Sequence, residues 1–161
     1  MSDNNQLILG WREWIALPQL GIPAVKAKID TGARTSALHA FAIRREARAE
    51  GSDWVSFGVH PLQRNDSLVR RCHAPLVDVR QVTDSGGHKE ERYFILTTFV
   101  IGSVQREIEI TLADRNNMLF RMLLGRTAMI PDICVDPAQS FLCGRVSAKE
   151  HYDDDVSGVR T

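Results

Sequence analysis

The sequence predicts an all-β domain with one short helix, and three observations carry that expectation. Short runs of alternating or β-branched residues recur between turn signals, stretches of helical period are few, and the breaks are rich in Gly, Pro, Asn and Asp. A chain of 161 residues is the size of one domain, able to bury about two-thirds of its unfolded surface around a single core.

The first expected strand, Gln6 to Ile15, runs into the turn "LPQLGIP" at Leu17 to Pro23. The second, Ala24 to Asp30, alternates apolar Val25, Ala27 and Ile29 with Lys26 and Lys28, as a half-buried strand does. Ala37 to Arg45 is the third, after which "REARAEG" reads either as a helical turn or as a charged strand end. Trp54 to Val59 follows. Ala74 to Val82 and Glu91 to Ile101 form the clearest hairpin, its tip near Gly86 in "TDSGGHKE". Gln105 to Leu112 and, beyond the turn "ADRNN", Met118 to Leu124 complete the strands, and "RTAM" after Gly125 begins a short helix. One domain is expected over residues 1–145, with 146–161 a disordered tail because that stretch is polar, acidic and without periodicity.

Twenty basic side chains balance twenty acidic ones, so no global field recruits nucleic acid or an anionic membrane, and any charge preference is local. The opening "MSDNNQ" lacks the order of a secretory signal, and no apolar run reaches the ~20 residues that span a bilayer. The expectation is a cytoplasmic protein without membrane or nucleic-acid partners. Cys72, Cys134 and Cys143 give an odd count at irregular spacing, which suits reduced thiols, with Cys134 a small core residue beside Ile133 and Val135. Trp11, Trp14, Trp54, Phe94, Phe99 and Phe120 lie in strand patterns and read as core or interface packing.

The segment "KIDTGARTSA" places Asp30 where a strand ends. Gly32 permits a tight turn and close approach of backbone or ligand, while Thr31 and Ala33 are small and Thr31 offers a hydroxyl. Taken alone, these residues fit an Asx-turn closing a strand as well as they fit a catalytic acid. A second segment, "MLLGRTAMI", sets Leu123 and Leu124 before Gly125 and the short helix.

Together the two segments resemble the retropepsin-like aspartic proteases, whose single-lobed subunits carry Asp-Thr-Gly-Ala early and an apolar-apolar-Gly followed by a helix late. "KIDTGARTSALHA" and "IEITLADRNNMLFRMLLGRTAM" are most similar to a small bacterial family called ATP-dependent zinc proteases, or RimK-associated, RimB-like proteins, from about Leu9 to about Cys143. The resemblance implies a closed acid-protease barrel with a flap hairpin and one short helix. It makes Asp30 catalytic, supported by Thr31, Gly32, Ala33, Leu123, Leu124 and Gly125, with Ser85, Gly86 and Gly87 at the flap tip. Asp84-Ser85-Gly86 is itself a variant of the catalytic triplet, so a second loop within the chain is the rival to a hairpin turn.

Aspartic-protease chemistry needs two carboxylates sharing one proton, one taking a proton from the attacking water while the other protonates or polarises the carbonyl oxygen. A lone Asp30 therefore implies a homodimer that brings two copies to a two-fold axis, with Thr31 bonding across it by resemblance. The family name says zinc and ATP, but the chain has no HExxH and no P-loop. His39, His60, His73, His88 and His151, with Cys72, show no helical ligand spacing and no CxxC, so no metal ligands and no cofactor are assigned. His39 reads as a packing residue on the strand after the turn.

The function expected is peptide-bond hydrolysis by an aspartic endopeptidase. The resemblance also implies a setting near an ATP-grasp glutamate ligase, and hence glutamate-rich tails as substrate. The alternatives are a non-catalytic partner of such a ligase and a zinc-dependent hydrolase. One departure stands out. Where retropepsins often pair an acid after Asp-Thr-Gly-Ala with the late Arg, this chain has Arg34 and Arg126. Their acids are either internal (Asp132, Asp136 or a C-terminal acid) or belong to an acidic substrate, which would make both arginines substrate-binding.

Overall fold

A computed structural model describes residues 6–83, 86–114, 119–147 and 150–152. Its strands are β1 (Leu7–Leu9), β2 (Arg12–Leu17), β3 (Ile22–Ile29), β4 (Ser36–His39), β5 (Phe41–Ala47), β6 (Asp53–Val59), β7 (Arg70–Thr83), β8 (Lys89–Ile101), β9 (Val104–Ala113), β10 (Met122–Leu124) and β11 (Ile133–Val135). A short 3-10 turn covers Pro18–Leu20, and helix α1 spans Arg126–Met129. No helix among the described residues is long and apolar enough to cross a membrane.

Strands β2, β3, β10, β4, β9 and β8 lie side by side, and the pairing of Ala16 with Val100 joins β8 back to β2. The sheet therefore closes into a barrel, which leaves no free edge along these strands. Alternation along β2 buries Glu13, Ile15 and Leu17 and turns Arg12, Trp14 and Ala16 outward. Ile15, Val25, Leu38, Phe99, Ile110 and Met122 fill the interior. Burying a side chain of this size is worth about 1.5–3 kcal/mol, so the barrel core supplies the main stabilisation.

The hairpin β7–β8 rises from the barrel, and its last described pair is Thr83 with Lys89. The first half of β7 leaves the barrel and pairs with β6, which pairs in turn with β5. A separate parallel pair joins β1 to β11.

Several expected strands are divided. Gln6 to Ile15 breaks at Gly10, because a Cβ there would lie within 2.6 Å of the Gln139 backbone. The crossing segment is fastened by Trp11 N–H to the Gln139 carbonyl at 2.8 Å and by the buried Glu13, whose carboxylate accepts the N–H groups of Gly10, Leu142 and Cys143. Ala37 to Arg45 divides at Ala40, where the chain leaves the barrel for the outer sheet and Ala42 takes φ 51°. "REARAEG" is a strand end as far as Ala47, followed by a turn. Of Met118 to Leu124, β10 covers Met122–Leu124, and Met118 lies outside the described residues.

One further reading is corrected. Cys134 is exposed, because β11 pairs with β1 in a two-stranded sheet and turns this side chain outward. In the stretch expected to be a disordered tail, Tyr152 is buried. Its hydroxyl donates to the Ala24 carbonyl and accepts from the Ala24 N–H, and Arg70 lies over its ring. An aromatic ring that caps a strand of the barrel is held by area as well as by hydrogen bonds.

Candidate active site

The site begins with a pairing of strands distant in sequence. β3 and β10 run parallel, with Lys28 opposite Leu123 and Ile29 opposite Leu124, so the turns that follow them, at Asp30 and at Gly125, leave the barrel together. β10 also pairs antiparallel with β4, so the chain after Asp30 loops over Gly125 and returns along the other side of β10. A Cβ on Gly125 would sit 2.6 Å from the Thr35 carbonyl carbon, so this crossing requires glycine.

Hydrogen bonds then fix the loop. Asp30 N–H donates to the Leu124 carbonyl at 2.9 Å, and Arg126 N–H and Thr127 N–H donate to the carbonyls of Ala33 and Arg34 at 2.7 and 3.1 Å. Gly125 N–H donates to the buried Ser36 hydroxyl at 2.9 Å, and the Thr127 hydroxyl donates to the Arg34 carbonyl at 2.9 Å. The Arg126 guanidinium donates to the Thr31 carbonyl at 2.9 Å. The Asp30 N–H and the Thr31, Ala33 and Arg34 carbonyls are thus satisfied from the β10–α1 junction, which holds Asp30 in one place.

Asp30 is half-buried, and Gly32 N–H donates to its Oδ1 at 2.9 Å, closing an Asx-turn. This is the Asx-turn that the sequence allowed: the N–H orients the carboxylate, and Oδ2 accepts no hydrogen bond among the described residues. No ion pair involves Asp30 among the described residues.

Thr31, Gly32 and Arg34 are exposed at the turn, Ala33 is half-buried, and Leu124 and Gly125 are buried beneath it with Leu123 partly covered. Gly86 and Gly87 lie at the exposed hairpin tip, Gly87 at φ 83°, while Asp84 and Ser85 lie outside the described residues. Ser36 and Thr127 escaped the sequence reading, since a single hydroxyl beside a turn leaves no periodic signal.

The two arginines separate. Arg126 is bound to the loop backbone, whereas the Arg34 side chain makes no ion pair or hydrogen bond among the described residues. Of the acids expected to answer them internally, Asp132 and Asp136 are engaged elsewhere, and the C-terminal acids Asp153, Asp154 and Asp155 lie outside the described residues. Asp132 pairs with Arg106 at 2.9 Å, which holds its carboxyl below the usual range, and Asp136 accepts the Ala138 N–H at 3.0 Å. Arg34 instead borders a cleft of about 450 Å³ that also holds Arg80, Glu107, Glu109 and Thr127.

The histidines do not converge on Asp30. His39 is buried at the end of β4, where burial and the nearby Arg121 keep its ring below the usual pKa, and it stacks at 6.3 Å on His60. His73 faces Glu46 at 3.5 Å. Among the described residues, no three His, Cys, Asp or Glu side chains are grouped to hold a metal ion. The described residues therefore offer no three- or four-ligand set of the kind a zinc site uses.

Comparison with known proteins gives the family of this fold. Residues 8–145 match the family described as RimB-like, "Retropepsin-like aspartic endopeptidase RimB". The whole chain is 45% identical to 34% of a protein of Shewanella pealeana named "Probable alpha-L-glutamate ligase". A protein of the same name from Desulfotalea psychrophila is 45% identical over 91% of this chain and 31% of its own. The chain thus spans about a third of the length of these curated relatives. A solved structure of a protein of unknown function from Legionella pneumophila superposes with a TM-score of 0.71 at 28% identity, covering 85% of this chain and 98% of that one.

Proposed function

The chain belongs to the RimB-like family of retropepsin-like aspartic endopeptidases, and on that premise we propose that it hydrolyses peptide bonds with a catalytic pair made of Asp30 and the Asp30 of a second copy. The observation that carries this reading is the Asp30 loop, whose backbone is bonded to the β10–α1 junction while one carboxylate oxygen is left unspent. A two-fold dimer supplies the second carboxylate that the chemistry needs. One carboxylate takes a proton from water as the water oxygen bonds to the amide carbon. The other, protonated, donates to the carbonyl oxygen, and collapse of the tetrahedral intermediate passes a proton to the leaving nitrogen. In this dimer Thr31, which is exposed at the turn, bonds its counterpart across the axis. No step is routed through zinc or ATP.

Asp30→Asn keeps the shape of the side chain and its bond from Gly32 but cannot carry the shared proton. Cleavage of peptide substrates should fall by about 10²–10⁴-fold with the fold unchanged. Activity per subunit should fall on dilution, in step with dissociation seen by sedimentation. Cleavage by the Asn variant at the wild-type rate would end the aspartic reading, and a fully active monomer would move the second acid into the same chain.

A second reading rests on the relatives named as glutamate ligases, in which a segment like this one is a third of a longer chain. In it the domain serves an ATP-grasp ligase, either trimming glutamate-rich products or acting as a non-catalytic partner. Equal binding of such a ligase by wild type and Asp30→Asn, with no cleavage by either, would favour the partner role.

A further inference from the structure

Four cations gather on the outer face of β2 and β3 and in the segments that cover it. Arg12 and Lys26 point outward from neighbouring strands, Trp14 standing opposite Lys26 in the register. Phe141 collects three of them, its ring centre lying 4.8 Å from the Arg12 guanidinium, 5.7 Å from the Lys26 ammonium and 4.8 Å from the Arg145 guanidinium. Arg64 stands on the facing loop and lines, with Trp11, Arg12, Trp14 and Lys26, a groove of about 580 Å³.

No carboxylate pairs with Arg12, Lys26, Arg64 or Arg145 among the described residues, although six other ion pairs form there. Burial and the positive charges of Arg12, Arg145 and Arg64 all act to lower the pKa of Lys26. Crowding like charges without counter-charge is unfavourable, and in a chain of balanced composition it is a local choice.

The groove wall is a fixed structure. The Gln63 amide donates to the Leu119 carbonyl at 2.8 Å, Asn65 Oδ1 accepts the N–H groups of Ser67 and Leu68, and the buried Arg121 bonds the Leu62 carbonyl and Asp66. Among the described residues, two of the three non-glycine residues with positive φ stand here, Arg64 at 56° and Phe141 at 55°. Backbone held in that region is found where a structure over-determines a ligand clamp.

We propose that this groove is a binding site, separate from the Asp30 loop, for an extended carboxylate-rich segment of another polypeptide. Guanidinium groups bind carboxylates bidentately, and a groove of about 580 Å³ is larger than one small anion would fill. A single-stranded nucleic acid fits less well. Arg12 lies 4.7 Å over Trp11 and Lys26 lies 5.3 Å over Trp14, so the rings on which bases would stack already carry cations. Lys26 is four residues before Asp30 on β3, about 13 Å by strand rise, so a bound segment is held within reach of the loop without occupying it.

The test is binding, measured in the Asp30→Asn background so that cleavage does not enter and the two proposals fail separately. A labelled oligoglutamate is titrated against oligoglutamine of the same length and against oligouridylate, following anisotropy and tryptophan fluorescence. Lys26→Met keeps the aliphatic stem, and Arg64→Asn tolerates the left-handed backbone. Together they should weaken oligoglutamate binding on the order of tenfold or more and leave thermal unfolding unchanged, while Arg45→Gln, on the outer sheet, should have no effect on binding. Oligoglutamate bound no better than oligoglutamine, or equally by wild type and the double variant, would overturn the site. Tighter binding of oligouridylate would overturn the polypeptide assignment.

Discussion

Strand β3 serves two regions that treat polar groups in opposite ways. At its C-terminal end the Asp30 loop ties its Asp30 N–H and its Thr31, Ala33 and Arg34 carbonyls to the β10–α1 junction, so that one carboxylate is held still. A few residues upstream, the outer face leaves side-chain cations without a carboxylate partner among the described residues and holds them on aromatic rings. Saturated backbone gives fixed geometry, which chemistry at one atom requires. Unsatisfied charge gives attraction along a surface, which capture of a chain requires. The two regions should therefore fail differently when altered.

The largest effect is expected at Gly125. Gly125→Ala drives a methyl into the Thr35 carbonyl, and the obstacle is backbone, which cannot swing aside as a side chain can. Destabilisation of about 3 kcal/mol is expected, at the upper end of overpacking penalties, together with loss of cleavage, measured by urea unfolding beside peptide turnover. If the variant is as stable as wild type, the tight crossing that defines the loop is not needed. Binding in the cationic groove should survive wherever the barrel remains folded.

A smaller effect belongs to Ser36. Its hydroxyl accepts the buried Gly125 N–H, so Ser36→Ala leaves that donor without a partner, which costs about 1–2 kcal/mol. Ser36→Thr restores the oxygen and should recover most of the loss. No recovery would mean that packing, rather than the hydrogen bond, makes this position matter.

How much of this was legible in the sequence follows from the range of each interaction. The Asp30 turn and the Leu123-Leu124-Gly125 strand were legible because each is a compact run whose residue types are dictated locally: alternation, then a small residue where two backbones meet. The barrel's long strands were legible by period. Ser36 and Thr127 were not, since their role is set by a neighbour on another segment. The break at Gly10 depends on Gln139 far along the chain, and β11 is too short to show a period before β1 pairs with it. The cationic groove was least legible of all. Its residues come from β2, β3, the loop after β6 and the segment around Phe141, and only the folded chain brings them together.

The finest discrimination concerns the two arginines that replace the usual acid–base pair. Arg126 holds the Thr31 carbonyl, so its role is to position the loop. Arg34 has no partner among the described residues and borders the cleft with Glu107 and Glu109. Arg126→Ala should therefore reduce cleavage of acidic and neutral peptides alike. Arg34→Ala should reduce cleavage of acidic peptides selectively, by about 1 kcal/mol in kcat/KM, the scale of a partly exposed charged contact. The selectivity should shrink as salt is raised, because an exposed pair is screened within about 10 Å at 0.1 M ionic strength. Should Arg34→Ala lower both peptides equally, Arg34 belongs with Arg126 as a loop residue, and recognition of acidic chains rests on the groove around Lys26.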